Sequence, residues 1–244
     1  MDTIDDIEAA GFAAWPCFEE EVYLGWHLRF AEGFTKRANS VNAGPQAQSL
    51  SERDLASIES RYSRRGFPTI FRLCSLNKTP TFDDDLATRG YSRIDPSLVM
   101  TSKLNPSKAN SPPQESLPPE QWLAHYYAIS GKSTQDQKPH LRLLQSLPNT
   151  TQFAVSNKDG AAVSCSLGVL TQQHLGLFEI ATKPSHRRQG LASALCRELM
   201  SWGASQGAHT AFLQVEQANL GAIRIYEALG FERSYDYWYR VRAT

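Results

Sequence analysis

The chain has 244 residues, 41% hydrophobic and 20% charged, with Lys plus Arg and Asp plus Glu equal at 25 each. This is the composition of a folded protein of one large domain or two small ones, and balanced charge removes any bulk electrostatic reason for nucleic-acid binding. The acidic start MDTIDDIEAAGFAAW is not a secretory signal, and no stretch reaches the roughly 18 apolar residues of a membrane span.

Cys17, Cys74, Cys165 and Cys196 are far apart, and the histidines lack ligand spacing, so no metal site is expected. Cysteines of this kind suit a reducing cytoplasm. In the first half, the pattern predicts a helix over 50–64 and a strand over 69–73. The stretch KLNPSKANSPPQESLPPE then holds five prolines and three serines, which predicts an extended connector. The expected organisation is therefore 1–104 as one domain, 105–119 as linker and 120–244 as a second domain.

Helices are predicted over 122–130 and 138–147, the latter from Leu141, Leu144 and Leu147. The runs TQFAVSN and AAVSCSLGVL flank a turn at Lys158-Asp159-Gly160, which reads as a hairpin. A third strand covers 175–182 and is closed by Pro184. Over 189–206 the period becomes helical, with Leu191, Leu195, Leu199 and Trp202 on one face and Gly207 as the stop. AFLQVE is a strand, Asn219 a candidate N-cap, 220–229 a helix stopped by Gly230, and SYDYWYRV the last strand. Two helices, three strands, then helix, strand, helix, strand predict an α/β fold with a mixed sheet flanked by helices. LATRGYSRIDPSLVMTSKL resembles YEALGFERSYDYWYRVRA, which points to two tandem copies, although two unrelated domains sharing this pattern would look similar.

The chemistry concentrates at Arg187-Arg188-Gln189-Gly190-Leu191-Ala192, where a strand passes through a short turn into a helix. Free N–H groups at a helix start, reinforced by the macrodipole, favour a phosphate, and a glycine there lets the backbone approach it. The loop lacks the G-x-G-x-x-G glycines of a dinucleotide site.

FEIATKPSHRRQGLASAL followed by FLQVEQANLGAIRIYEALGF resembles the two signature blocks of GNAT acetyltransferases. The first is matched at Arg187, Gly190 and Ala192, the second at Asn219, Ala222, Tyr226, Gly230 and Phe231. The resemblance implies acetyl-CoA as cosubstrate, and the acyl-CoA N-acyltransferase fold. Ile180, Ala181 and Thr182 would present backbone groups to the pantetheine arm. Arg187 together with Arg188, Gln189, Gly190, Leu191, Ala192 and Ser193 would hold the pyrophosphate. Asn219 would bond the pantetheine, or serve only as a helix cap. Tyr226 would protonate the departing thiolate, or be a core aromatic.

The base is not assignable from the sequence. Gly176 and Phe178 occupy the strand face where family enzymes often carry Glu or His, and Gln214 stands where others carry Glu. Alternation places Glu216 with Gln214 and turns Glu179 the opposite way. Tyr235, Tyr237, Trp238 and Tyr239 could line an acceptor cleft or be packing. The first half lacks the loop and has Leu86 at the position of Tyr226, so it is expected to be a degenerate copy without cofactor chemistry. The implied activity is acetyl transfer to a primary amine on a small molecule, a protein N-terminus or a lysine. The alternative is a non-catalytic acyl-CoA-binding module. Neither the acceptor nor the oligomeric state is legible.

Overall fold

Thr3 caps the first helix, α1 (Ile4–Ala14), through a reciprocal capping box with Asp6, and Ser51 with Asp54 starts α2 (Glu52–Ser63) in the same way. These elements belong to a computed structural model that describes residues 3–75, 81–105 and 115–242. Between the two helices lie β1 (Glu19–Tyr23), β2 (Trp26–Phe30) and β3 (Val41–Ala43). After α2 come β4 (Ile70–Cys74), α3 (Thr81–Thr88) and β5 (Ser92–Lys103). The rest of the chain forms α4 (Pro119–Ser130), α5 (Gln137–Gln145), β6 (Thr151–Lys158), β7 (Ala161–Thr171) and β8 (His174–Thr182). It ends with α6 (Leu191–Ser205), β9 (Thr210–Glu216), α7 (Leu220–Ala228) and β10 (Glu232–Val241). The predicted elements of the second half all appear. The first 49 residues, without a sequence assignment, supply α1 and three strands.

The elements gather into two compact units that are not consecutive halves. One contains 17–99, 216–218 and 235–244; the other contains 1–16, 100–215 and 219–234. The division thus differs from the one read at the linker, whose residues 106–114 lie outside the described residues. α1 packs on β7 and β8, far along the chain, while β10 pairs antiparallel with β4 from Tyr237↔Cys74 to Val241↔Ile70. Local periodicity carries no information about such distant partners.

In the first of these units, β1, β2 and β3 pair antiparallel in turn, β3 pairs parallel with β4, and β10 lies beyond β4. Its core is Trp26, Leu28, Phe30, Val41, Leu55, Ile58, Tyr62, Phe71, Leu73, Phe82, Leu86 and Tyr91, all buried. The last strand is tied into this unit from Asp83, which accepts from the Trp238 indole at 2.7 Å and pairs with Arg240.

The other unit runs β5, β9, β8, β7, β6, with β5 contributing its end. β6, β7 and β8 pair antiparallel, and β8 with β9 parallel. α6 packs on β7 and β8 through its buried Leu195, Leu199 and Trp202. α4 packs on β6, β7 and β8 and buries Trp122, whose indole donates to the Ala154 carbonyl at 3.0 Å.

The end of α3 and the end of α7 are built alike. Tyr91 N–H reaches back to the Leu86 carbonyl and Phe231 N–H to the Tyr226 carbonyl, each at 3.0 Å. Gly90 and Gly230 have φ of 81° and 86°, the left-handed conformation that a helix C-terminus of this type requires. Tyr91 and Phe231 are both buried. This repeated hydrogen-bond pattern sets Leu86 in register with Tyr226, as the sequence alignment of the two segments had it.

Candidate active site

The site begins where two neighbouring strands part. β8 and β9 pair parallel from His174↔Thr210 to Leu177↔Leu213, and no pair follows although both strands continue. The cause lies in β8. Its register against β7 shifts between Cys165 and Leu167, and Glu179 has φ of 50°. One extra residue in a strand bends it and increases its twist, so β8 swings away from β9 and keeps its partner β7 at Ala181 and Thr182. Ile180, Ala181 and Thr182 form one arm of this fork, half-buried.

Beyond the fork the chain turns through Pro184–His186 and enters α6. Arg188 at φ 60° and Gly190 at φ 77° both take the left-handed conformation. Successive N–H groups in turn conformations of this kind can make a concavity that suits an anion. Gly190 is the N-cap of α6, and no side chain satisfies the helix start there. A Cβ on Gly190 would meet nothing within 4 Å. The first turn of α6 thus lacks a side-chain cap, and the space beside Gly190 is open. Arg187, Arg188 and Gln189 are exposed around it, with Arg187 Nε 3.4 Å from the Thr182 carbonyl. Lys158, on the β6–β7 hairpin, donates to Gln189 Oε1 at 2.9 Å and brings one more cation to the loop. Leu191, Ala192 and Ser193 follow, half-buried.

Asn219 is the N-cap of α7, its Oδ1 accepting from Ala222 N–H at 3.2 Å. The cap reading thus holds for its oxygen, and the amide nitrogen is left to donate elsewhere. Tyr226, on the same helix, is buried and packs edge-on against Phe231 at 6.2 Å. Its hydroxyl makes no hydrogen bond among the described residues, and burial raises its pKa above that of an ordinary tyrosine. Among the aromatics of β10, Tyr235, Tyr237 and Tyr239 are buried, with Arg72 over the Tyr237 ring at 4.2 Å, and Trp238 is held by Asp83. They are packing.

Glu179 corrects the reading by alternation. Phe178 lies against Trp15 of the α1 end, with ring centroids 5.2 Å apart, and Trp15 lies 6.4 Å from His140 of α5. Glu179 reaches the same helices: its carboxylate is 3.7 Å from Lys132 Nζ, just after α4, and its charge acts on Tyr126, Tyr127 and His140. The bulge thus puts two successive side chains on one face. Sequence reasoning missed Lys132 and Tyr126 as well, because nothing in the α4 pattern marks them. Among the described residues no group of His, Cys, Asp and Glu stands close enough to hold a metal ion.

The family model described as "Probable histone acetyltransferase Rv0428c C-terminal" matches residues 2–240. The chain belongs to that family. It is a GNAT N-acetyltransferase, and similar proteins bear this out along its whole length. "Uncharacterized N-acetyltransferase YobR" of Bacillus subtilis (strain 168) is 29% identical over 99% of this chain and 100% of its own. A solved "GCN5-related N-acetyltransferase from Kribbella flavida" superposes with a TM-score of 0.71 at 18% identity, covering 100% of this chain and 97% of that one. The "[Ribosomal protein bS18]-alanine N-acetyltransferase" of Escherichia coli (strain K12) is 41% identical over 58 residues, which are 24% of this chain and 39% of that protein. A "Tandem GNAT protein from the clavulanic acid biosynthesis pathway" has a TM-score of 0.57 at 12% identity, covering 84% of this chain and 76% of that one.

The face of this GNAT protein beside the fork includes a buried histidine. His140 is buried against Tyr126, Tyr127 and Trp15, and burial pushes its pKa down to about 4. In the unfolded chain a histidine titrates near 6.5. Between these values the unfolded chain binds the extra proton, so the folded state is fully favoured above pH 6.5 and loses stability as pH falls toward 4. The loss is on the order of 3 kcal/mol. The stability difference between the wild type and His140→Phe, measured by denaturant unfolding across pH 4 to 7, should therefore grow as pH rises from 4 to 6.5. A difference independent of pH would show that His140 is not held neutral.

Proposed function

We propose that the fork and the loop at the start of α6 hold acetyl-CoA, and that this chain moves its acetyl group to a primary amine. The observation that carries the reading is the α6 entrance: two left-handed residues, unsatisfied helix N–H groups and open space beside the strand fork. A pyrophosphate is the anion that this arrangement suits. The N–H groups of Arg188, Gln189, Gly190, Leu191, Ala192 and Ser193 would surround it, with Arg187 and Lys158 adding charge. The backbone of Ile180, Ala181 and Thr182, unpaired on the side facing β9, would take the pantetheine amides as a strand takes a partner. Asn219 would donate through its amide nitrogen to the same arm.

The chemistry follows from the thioester. A neutral amine nitrogen attacks the acetyl carbonyl, the carbon–sulfur bond breaks, and the thiolate needs a proton. Tyr226 would supply it. Its raised pKa keeps the hydroxyl protonated at neutral pH, and among the described residues that hydroxyl makes no hydrogen bond. The acceptor is an amine on a small molecule, a protein N-terminus or a lysine.

Replacing Gly190 with Val puts a β-branched residue at φ 77° and fills the open side of the loop. CoA affinity measured by titration calorimetry should fall by about 2 kcal/mol or more, the scale of one or two charge-assisted hydrogen bonds. Unchanged affinity in the folded variant would place the cofactor elsewhere. Tyr226→Phe retains the ring, so the Kd for acetyl-CoA should hardly move, while kcat drops about 100-fold to 10,000-fold. A drop of less than about threefold would remove Tyr226 as the acid.

A further inference from the structure

Direct attack by an amine raises a question that the loop and Tyr226 leave open: an amine is an ammonium ion at neutral pH, and must lose a proton before it can attack. Glu179 brings a carboxylate to the strand fork. Glu179 lies at the bulge from which the fork opens, immediately before Ile180. A non-glycine residue in the left-handed region is uncommon, and such strain persists where the surrounding structure holds it. Here the bulge turns the carboxylate onto the α4–α5 face, with its side chain 14% exposed.

The surroundings fit a carboxylate that waits for a cation. Phe178, stacked on Trp15, closes one side, and the buried Tyr126, Tyr127 and His140 line the rest. The carboxylate accepts from the Tyr126 hydroxyl and, among the described residues, faces one cation, the ammonium of Lys132, at 3.7 Å, which is longer than a charge-assisted hydrogen bond. Lys132 is 63% exposed on its side chain, and its Nζ also donates to the Tyr126 hydroxyl. Water reaches Lys132 on its exposed side, so its ammonium stays solvated when another ammonium takes its place. An incoming amine carries the same group.

We propose that Glu179 is the acceptor-binding carboxylate: it takes the ammonium of the substrate in place of Lys132 and accepts its proton. This rests on the fork being the acetyl-CoA site. One proton passes from the substrate R–NH3⁺ to the Glu179 carboxylate, and the freed nitrogen lone pair forms a C–N bond with the thioester carbonyl carbon. The C–S bond then breaks, the thiolate takes a proton from Tyr226, and the nitrogen gives up its second proton to restore the tyrosine hydroxyl. Glu179 releases its proton to water. The proposal also defines the acceptor: an unhindered primary amine that is a cation in solution, since a neutral or anionic group gains nothing from Glu179.

The test needs no knowledge of the natural acceptor. Two thioethers of CoA are prepared, S-(2-aminoethyl)-CoA, which carries an ammonium beside the sulfur, and S-propyl-CoA, its neutral counterpart. Their affinities and that of CoA are measured by titration calorimetry for the full-length wild type and for Glu179→Gln. The expected result is equal CoA affinity in both proteins. In the wild type, the aminoethyl compound should bind at least about tenfold tighter than the propyl one, and in Glu179→Gln this preference should vanish. Equal preference in both proteins, with CoA bound normally, would overturn the role of Glu179 and leave the CoA site standing. Loss of CoA binding in Glu179→Gln alone would also overturn it, since the carboxylate would then be part of the fold of the fork. Failure of the wild type to bind CoA would instead remove the acetyl-CoA reading itself.

Discussion

A glutamate held at φ 50° in the middle of a strand costs on the order of 1–3 kcal/mol, and the unit that contains it depends on that strained residue. If β8 ran straight, its pairing with β9 would continue past Leu177 and no fork would open. Trp15 is fully buried against Phe178, beside the bulge, and α1 and α4 both pack over β8. The contact of α1 with β8 joins segments more than a hundred residues apart in the chain. These contacts bury enough apolar surface to offset the strain several times over, since a buried Trp alone contributes about 3–5 kcal/mol by the cost of its removal.

The bulge does two things at once. It separates the strand arm at Ile180, Ala181 and Thr182 from β9, and it turns a carboxylate onto the face lined by α4 and α5. The α6 entrance, proposed as the pyrophosphate site, lies at the far end of the same arm. On this account, cofactor binding, acceptor binding and proton release are arranged along one strand and its continuation, while Tyr226 enters from α7. The other unit repeats the end of α7 in α3, down to the glycine and the backbone hydrogen bonds, yet carries Leu86 where the hydroxyl would be. There the position serves the hydrophobic core.

The helices and strands after residue 120 were legible because each is long enough for its period to show and is bounded by Gly, Pro or Asn. The α6 entrance was legible for a related reason: a glycine between a strand and an amphipathic helix has a local cause. The side-chain direction of Glu179 was not. Glutamate has no preference for the left-handed region, so its conformation is imposed by tertiary contacts, and simple alternation puts it on the wrong face. The compact units were illegible for the same reason. α1 and β10 find partners that no local pattern names, and a cut within 105–119 would separate Trp15 from Phe178 and β10 from β4.

Hydrogen exchange on the intact chain, with and without acetyl-CoA, tests the central claim without such a cut. Amides that hold a ligand exchange more slowly when it is bound. Protection is predicted at 179–193 and around 219–222, with the segment 37–45 of the other unit unchanged. Protection of 37–45, or none at 187–193 at saturating acetyl-CoA, would contradict the account.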